Sequence, residues 1–308
     1  MKCGFVSFVG RPNAGKSTLL NRIVGTKLAI VSDKPQTTRA RILGVKNYPS
    51  SDAGPDGSRL TGQVIFMDTP GIHRPLHRMN VRMVDIAVES IRQVDLVGAV
   101  VDATEQIGAG DRYVMTLLKK ARVPVLLVLN KIDLMAKPRL LPVIDSYRVQ
   151  GEFAAIVPVS ALTGDGVDLL ERTILENLSE GPALYPEDYL TDQPERVFAA
   201  EVVREKVLCH TRAEIPFSTA VVVDQFEEPG EQGILRLYCS IVVEHESQKP
   251  IIIGRGGEMI KRIGTEARQE LERFFGTRVF VDLHVKVRSN WREDDRLLDQ
   301  LGVSGPKR

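Results

Sequence analysis

The first part of the chain alternates short apolar runs with amphipathic stretches. The apolar runs predict strands at Phe5–Val9, Val64–Asp68, Leu96–Asp102, Pro124–Asn130 and Ile156–Val159. Apolar residues recur at helical spacing over residues 16–24, 79–92, 110–121, 138–150 and 166–178, which predicts helices there. Strands that alternate with helices indicate an α/β domain with a mostly parallel sheet and helices on both faces.

The pattern changes after residue 178. Residues 179–196 contain three prolines, which favours an extended connector. Beyond it, the pattern predicts a helix at Phe198–Cys209, strands at Thr219–Phe226 and Leu235–Val243, a helical region reaching about Phe275, and a strand at Val279–Val287. We therefore expect an α/β domain over residues 1–180, a linker over 181–196, a smaller α+β domain over 197–290 and a tail over 291–308.

Composition adds three constraints. The 41 basic and 40 acidic side chains give a net charge of +1, so overall charge gives no sign of nucleic-acid binding. Cys3, Cys209 and Cys239 show neither metal-ligand spacing nor a disulfide framework, which favours a reducing cytoplasm. No segment approaches the ~20 apolar residues of a membrane span, so any membrane contact is expected to be peripheral.

The polar segment Pro49–Gly62 predicts a long hairpin excursion.

The segment GRPNAGKS at residues 10–17 fits the phosphate-binding pattern G-x-x-x-x-G-K-[ST] between a strand and a helix. Lys16 would reach the β- and γ-phosphates, and the Ser17 hydroxyl would ligate Mg²⁺. A strand–turn–helix with incidental glycines is the alternative, and the matching flanks disfavour it. The residues predicted to line the phosphates are Gly10, Arg11, Pro12, Asn13, Ala14, Gly15, Lys16, Ser17 and Thr18.

A second motif, Asp68-Thr69-Pro70-Gly71, ends the next predicted strand and is followed by Ile72. Asp68 would hold Mg²⁺ through water, and the Gly71 N–H would sense a γ-phosphate. The loop of residues 27–41 should supply another hydroxyl to the Mg²⁺ when a γ-phosphate is present. Thr38 is the first choice and Thr37 the second, and the other threonine would cap a turn. The predicted metal ligands are therefore Ser17, Thr38 and Asp68.

Two further motifs identify the base as guanine. Asn130-Lys131-Ile132-Asp133 ends a strand, and the Asp133 carboxylate would accept from guanine N1–H and N2–H₂. Adenine lacks that donor pair and would leave a buried carboxylate unpaired. Ser160-Ala161-Leu162 follows the last predicted strand, where the Ala161 N–H would meet guanine O6. Ligands of open α/β sheets bind at these carboxyl ends of strands, and four motifs occur there in order.

The attacking water has no obvious partner. Ras-like GTPases carry a Gln after Asp-x-x-Gly, but this chain has Ile72 there, and residues 72–80 hold no Gln. His73 and His77 lie nearby, although loop histidines are more often solvated. Asn13 suggests another route, since its side-chain oxygen could ligate a monovalent cation placed against the phosphates. The catalytic candidates are Lys16, Thr38, Asn13 and Gly71.

GRPNAGKS, PQTTR, DTPG with a following hydrophobic residue, NKID and SAL resemble the TrmE–Era–EngA class of P-loop GTPases. The resemblance implies slow intrinsic turnover and a hydrophobic residue in place of the catalytic Gln. In several members of this class, the Asn of the phosphate loop also mediates stimulation by K⁺. GTP and GDP would be substrate and product, with Mg²⁺ as cofactor.

Residues 251–264, IIIGRGGEMIKRIG, contain a second glycine motif. It fits I-G-x-x-G, the clamp with which a KH domain grips about four unpaired nucleotides. A glycine-rich helix entry without a ligand is the alternative, but the predicted order of helices and strands around it matches a type II KH fold. Residues 249–292 hold ten basic and five acidic side chains, a local excess suited to RNA. The predicted RNA-binding residues are Ile252, Ile253, Gly254, Arg255, Gly256, Gly257, Lys261 and Arg262, with the isoleucines as the floor of the groove.

The segments REK (204–206), EIPFS (214–218), SQKPIIIGRGG (247–257), VKV (285–287) and WR (291–292) extend the resemblance to the Era family over nearly the whole chain. It implies a KH domain that binds the 3′ end of 16S ribosomal RNA and aids 30S subunit biogenesis in the GTP-bound form. It also implies a monomer with peripheral contact at the inner face of the cell membrane. Trp291 would pack the tail or stack on RNA, and we favour packing.

Two other functions remain as alternatives. A tRNA-modifying GTPase of the same superfamily would carry a C-terminal Cys motif, and this chain ends in GPKR. A membrane-associated or cell-cycle signalling GTPase would use a KH-like module to bind protein. In the favoured interpretation, GTP orders residues 27–41 and the loop after Gly71, and this repositions the KH module through the 179–196 connector.

Overall fold

The computed structural model describes residues 1–49, 60–72, 77–230 and 233–303. It confirms the predicted fold class, because an α/β domain with a mostly parallel sheet precedes a smaller α+β module. Most of the predicted excursion Pro49–Gly62, His73 and the end of the tail at 304–308 lie outside the described residues.

The larger sheet has six strands within the described part of the chain. They are β1 (Lys2–Val9), β2 (Ile42–Pro49), β3 (Leu60–Asp68), β4 (Leu96–Asp102), β5 (Val125–Asn130) and β6 (Ala155–Pro158). Their order is β2-β3-β1-β4-β5-β6, and only the β2–β3 pair is antiparallel. The parallel strands therefore end at one edge of the sheet, where the predicted motifs begin.

Helices cover both faces of this sheet because its central strands are apolar on both sides. They are α1 (Lys16–Val24), α2 (Arg78–Arg92), α3 (Ala109–Leu118), α4 (Leu140–Arg148) and α5 (Val167–Asn177). One face buries Leu19 and Leu170 from α1 and α5. The opposite face buries Ala87 and Val114 from α2 and α3.

Strand β2 was not predicted from the sequence. The 179–196 connector packs against it rather than crossing open solvent. Leu43 and Val45 of β2 pack with Tyr185 and Tyr189 of the connector. The Val45 N–H donates to the Leu190 carbonyl oxygen at 2.8 Å. The connector therefore forms an additional layer on the edge of the first sheet.

The second module consists of α6 (Glu195–His210), α7 (Ile215–Ser218), β7 (Ala220–Glu227), β8 (Ile234–Val243), α8 (Lys249–Ile253), α9 (Glu258–Phe275) and β9 (Arg278–Val287). Its sheet has the order β7-β8-β9, with β8 and β9 parallel. Helices α6 and α9 bury residues such as Val203 and Ile263 against one face of this sheet. Helix α6 begins two residues before the predicted start of the module at residue 197.

The tail joins the two parts of the molecule. Trp291 is buried, and its Nε1–H donates to the Ser218 carbonyl oxygen at 2.9 Å, so the ring packs inside the protein. Helix α10 (Asp295–Gln300) places Leu298 beside Met83 of α2. Among the described residues, no helix is both long and apolar enough to cross a membrane.

Candidate functional site

The phosphate-binding loop connects β1 to α1 in a tight turn that requires glycine. Gly15 has a φ of 92°, and a Cβ atom there would lie 2.1 Å from Asn130 Nδ2. The Asn130 amide donates to the Ala14 carbonyl oxygen at 2.8 Å and holds the loop against β5. Helix α1 begins at Lys16, so its N-terminal N–H groups face the place of the phosphates.

The three predicted metal ligands meet at one point. Ser17 Oγ lies 2.7 Å from Thr38 Oγ1 and donates to Asp68 Oδ2 at 2.6 Å, and Thr38 Oγ1 donates to the same oxygen at 3.2 Å. Asp68 is fully buried, and its Oδ1 has no hydrogen-bond partner in the described part of the chain. Two hydroxyls and a carboxylate with a spare oxygen suit Mg²⁺, which prefers oxygen ligands. Thr37 Oγ1 instead donates to the Lys34 carbonyl oxygen at 2.6 Å and stabilises a turn.

Burial perturbs both charged groups of the phosphate site. It lowers the pKa of Lys16 and raises the pKa of Asp68, and the attraction between them only partly offsets these shifts. Lys16 Nζ donates to the Arg11 carbonyl oxygen at 3.0 Å. The low-dielectric surroundings therefore strengthen any interaction of Lys16 with phosphate and of Asp68 with a cation.

Asn130 and Lys131 organise the predicted base site. Asn130 Oδ1 accepts from the Ala161 N–H at 2.9 Å, so this N–H, predicted to meet guanine O6, is engaged within the protein here. Lys131 Nζ contacts Asp102 Oδ2 at 2.5 Å. Burial opposes the charged form of Asp102, but hydrogen bonds from Lys131 and Thr104 lower its pKa below the usual range. Asp133 is exposed, as its predicted contact with a base requires.

Arg22 is a contributor to the base site that the sequence analysis missed. From α1, its Nε donates to the Ala161 carbonyl oxygen at 3.2 Å and its Nη2 to the Leu162 carbonyl oxygen. The sequence around Arg22 does not predict this role, because the loop that it contacts lies about 140 residues away in sequence. Arg11, which is predicted to line the phosphates, directs its guanidinium to Glu105 at 3.0 Å and Asp111 at 2.9 Å.

The remaining phosphate-site candidates lie close together. A Cβ atom on Gly71 would lie 2.6 Å from Pro12 N, so the second motif packs directly on the phosphate loop. Ile72 is buried in the core and does not line the cleft described below. Asn13 is exposed, and its Nδ2 donates to the Asp33 carbonyl oxygen at 2.7 Å.

These groups surround a cleft of about 330 Å³. Its lining includes the predicted residues Pro12, Asn13, Gly15, Lys16, Ser17, Thr18, Thr37, Thr38, Gly71 and Lys131. It also includes the unpredicted residues Ile30, Val31, Ser32, Asp33 and Gln36. Gly10, Thr69, Pro70 and Ser160 lie buried behind it, and the Leu162 side chain is exposed.

The second glycine motif joins α8 to α9. Gly254 has a φ of 74°, and a Cβ atom there would lie 2.8 Å from Met259 N, so the turn excludes larger residues. The Arg255–Gly257 turn leads into α9, and Arg255 and Gly256 within it are exposed. Ile252 is fully buried in the core, so it supports the groove from below, whereas Ile251 is 48% exposed.

A groove of about 570 Å³ lies between α9 and β9, and its lining on α9 begins at Ile260, shortly after the motif. Its lining includes Lys261, for which RNA binding is predicted, and Gly264, Thr265, Arg268 and Arg278, for which it is not. Positions 261, 265 and 268 lie on one face of α9, a spacing that could have identified them. Arg262 is outside this lining and pairs with Glu266 at 3.1 Å.

The loop of residues 27–41 contacts α6 directly. Glu205 of α6 accepts from Lys27 Nζ at 2.6 Å and from the Val31 N–H at 2.8 Å. Hydrogen bonds from Lys206, Lys27 and Val31 outweigh the effect of burial and lower the pKa of Glu205. This contact bypasses the 179–196 connector.

Both neighbours of Thr38 are also held by the second module. Arg204 of α6 donates to the Thr37 carbonyl oxygen. Arg39 is 4% exposed, donates to the Thr219 carbonyl oxygen at 2.8 Å and lies 5.5 Å from the Trp291 ring centroid. Burial, with Arg204 and Arg292 nearby, lowers the pKa of Arg39 well below its ordinary value. Thr38, a predicted metal ligand, is therefore flanked by two contacts between the domains.

Comparisons with known proteins agree with this geometry. Residues 5–131 match the family model of the 50S ribosome-binding GTPases, and residues 214–292 match the KH domain. GTPase Era of Geobacter metallireducens is 48% identical over 303 residues, which cover 98% of each chain.

Two solved structures are similar over nearly the full length. An Aquifex aeolicus Era variant bound to GDP and aluminium fluoride has a TM-score of 0.92 at 42% identity, covering 99% of this chain and 100% of that one. Era in complex with MgGDPNP and nucleotides 1506–1542 of 16S ribosomal RNA has a TM-score of 0.91 at 42% identity, covering 99% of each chain. The chain therefore belongs to the Era family, and it is a GTPase with a C-terminal KH domain.

Proposed function

We propose that this GTPase is a nucleotide-controlled switch that binds the 3′ end of 16S ribosomal RNA and aids 30S subunit biogenesis. One observation carries the proposal: Thr38 lies beside Ser17 and Asp68, while Thr37 and Arg39 on either side of it are bound to the KH module. The RNA in the complex of a relative supports the choice of RNA.

The residues around the cleft have distinct proposed roles in hydrolysis. Lys16 neutralises charge on the β- and γ-phosphates from a buried position, and the Gly71 N–H positions the γ-phosphate. Ser17, Thr38 and Asp68 hold Mg²⁺, which stabilises the charge that develops on the phosphates. Asp133 selects guanine, and Asn130 joins the phosphate loop to the base-reading loop through its two hydrogen bonds.

Ile72 follows Gly71 at the position where Ras-like GTPases carry the catalytic Gln, and its side chain is buried. We propose that Asn13 ligates K⁺ against the phosphates. Its exposed position in the lining of the cleft supports this role. GTP turnover should be faster in K⁺ than in Na⁺ at equal ionic strength, and Asn13→Ala should remove the difference. Equal turnover in the two salts would refute the proposal.

The coupling between nucleotide and RNA follows from the contacts of residues 27–41. A γ-phosphate and its Mg²⁺ favour the position of Thr38 seen here. That position fixes the Thr37 carbonyl and the Arg39 guanidinium, which bind Arg204 and the segment before β7. The GTP state therefore stabilises this arrangement of the KH module directly, rather than through the connector.

Ultraviolet cross-linking followed by sequencing of the bound RNA tests the function. We expect reads concentrated at the 3′ end of 16S ribosomal RNA. Gly256→Asp places a negative charge in the exposed clamp, where an added Cβ meets no other atom within 4 Å, and should remove these reads while GTP hydrolysis persists. Reads spread evenly over RNA, or a partner that is only protein, would contradict the proposal and favour a signalling GTPase.

The cellular location and the oligomeric state of the protein are predictions. We propose a cytoplasmic monomer with peripheral contact at the inner face of the membrane, as the family resemblance implies. Sedimentation of the purified chain and flotation with anionic vesicles would test the two statements separately.

A further inference from the structure

The sheet of the KH module has a second face, opposite α6 and α9. Along β9, Val279, Val281 and Leu283 point to the core, so Phe280 and its alternate neighbours lie on the opposite face. Leu235 and Leu237 of β8 also point to the core, which leaves Arg236 and Tyr238 on the outer face. The proposed function uses none of these outer residues.

The described residues cover only one end of this outer face. Ala220, Val222 and Val242 pack beneath α2 and the tail with Met83 and Leu298. At the other end, Phe280 is 43% exposed, and Arg236 and Tyr238 are half-buried. Phe280 and Ile251 are the most exposed large apolar side chains in the described part of the KH module.

The open end combines two aromatic rings with a guanidinium. The Phe280 and Tyr238 ring centroids lie 6.0 Å apart at an interplanar angle of 62°. The Arg236 guanidinium carbon lies 5.8 Å from the Phe280 ring centroid. Proteins that bind single-stranded RNA stack bases on such aromatic and arginine surfaces, since every base has a π-face.

This surface is continuous with the RNA groove. The groove lining runs along α9 from Lys261 to Glu272, a helical rise of roughly 16 Å. It then reaches Arg278 and Phe280 at the start of β9, which is the edge strand of the described sheet. A strand held at Gly254–Gly257 and led along α9 therefore arrives at Phe280.

The charges around the rings favour bases over additional phosphates. Asp282 Oδ2 lies 3.1 Å from His284 Nε2, and Asp224 Oδ2 lies 3.2 Å from Lys286 Nζ, so both of these carboxylates already have partners within the protein. Arg278 remains at the rim of the groove, where a backbone phosphate would pass.

We infer that Phe280, Tyr238 and Arg236 form a stacking platform for unpaired bases of an RNA strand that leaves the KH groove. The inference rests on the proposed RNA-binding function and extends its footprint beyond the clamp. The platform would increase affinity and site length with little dependence on base identity.

Binding to RNAs of different length tests the platform. One probe spans about four nucleotides, the length that the clamp holds. The others are drawn from the 3′ end of 16S ribosomal RNA and are about twice as long, extended at the 5′ or the 3′ end. Phe280→Ala should weaken the binding of one of the two longer RNAs, the one whose extension reaches the platform, by about tenfold. This is the effect of losing one stacked base, and the affinity for the short RNA should not change.

The chain offers a matched control. Tyr113 on α3 is 44% exposed, so Tyr113→Ala removes an equally exposed ring far from the KH module. Phe280→Leu keeps an apolar side chain but no ring, so this variant should bind the longer RNA no more tightly than the short one. GTP hydrolysis and melting temperature should match the unmodified protein for both Phe280 variants.

A fluorescence measurement reports stacking directly. The natural chain has one Trp, the buried Trp291, so Phe280→Trp adds an exposed reporter. Its emission should be quenched by the longer RNA and not by the short one.

The outcomes separate the two proposals. If Gly256→Asp removes binding of every RNA while Phe280→Ala and Phe280→Leu behave as the unmodified protein, the platform is refuted and RNA binding by the clamp stands. If Gly256→Asp changes nothing, the proposed groove itself is wrong.

Discussion

Replacing Arg39 with alanine removes a buried cation that joins the loop of residues 27–41 to the KH module. Its guanidinium donates to the carbonyl oxygens of Thr219 at 2.8 Å and Pro216 at 3.5 Å and lies over Trp291. The adjacent residue is Thr38, the proposed metal ligand, whose hydroxyl donates to Asp68. The substitution should therefore separate nucleotide binding from RNA binding without removing a group that contacts either ligand.

The magnitude follows from these contacts. A hydrogen bond from a charged group contributes about 1.5–3 kcal/mol, and the longer bond to Pro216 adds less. A desolvated cation–π contact adds about 1–2 kcal/mol. Burial of the charge opposes both gains, and Arg39 Nε has no hydrogen-bond partner among the described residues. A net loss of about 2 kcal/mol is expected, which corresponds to about 30-fold in an equilibrium constant.

Thermodynamic reciprocity supplies the assay. If GDPNP strengthens RNA binding, RNA must strengthen GDPNP binding by the same factor. In Arg39→Ala, GDPNP should change the affinity for RNA by no more than about twofold. Arg41→Ala, at an exposed position in the same loop, should retain the factor of the unmodified protein. An unchanged factor in folded Arg39→Ala would refute the role of this contact.

Three other substitutions give distinct results. Thr38→Ala should lower kcat about tenfold or more at limiting Mg²⁺, whereas Thr37→Ala, which loses only a turn hydrogen bond, should stay within about twofold in a steady-state assay. Glu205 has a depressed pKa, so its contribution to stability is fully present above the ordinary value of 4.5 and is lost as pH falls through the lower folded value. Melting temperatures of Glu205→Gln and the unmodified protein should therefore differ at pH 7 and converge in acid. Arg22→Ala should speed GDP release about five- to tenfold in a stopped-flow measurement, with the exposed Arg172→Ala as control. Equal melting temperatures of Glu205→Gln and the unmodified protein at neutral pH, or equal rates of GDP release from the two arginine variants, would contradict these arguments.

The sequence predicted strands such as β4 and β5 because their apolar runs are buried on both faces over nearly their whole length. Strand β2 is different, since Gly44, Asn47 and Pro49 interrupt its pattern. It forms because Leu43 and Val45 pack under the connector, which lies about 145 residues away in sequence. Local periodicity carries no information about such a distant partner.

The same distinction holds for the site. Residues that contact one nucleotide lie in short motifs with fixed spacing, so Ser17, Thr38 and Asp68 could be proposed together. Arg204 and Glu205 could not, because their role depends on how the two domains pack. Ile252 was recognisable as apolar, but only the structure shows that it faces the core while Ile251 faces solvent.

The affinity of the full-length protein for RNA from the 3′ end of 16S ribosomal RNA, measured with GDPNP and with GDP, tests the central claim most directly. The contacts of residues 27–41 with the KH module predict tighter binding with GDPNP, by about fivefold or more. Equal affinities in the two nucleotide states would contradict the claim that this loop carries the nucleotide state to the RNA-binding module.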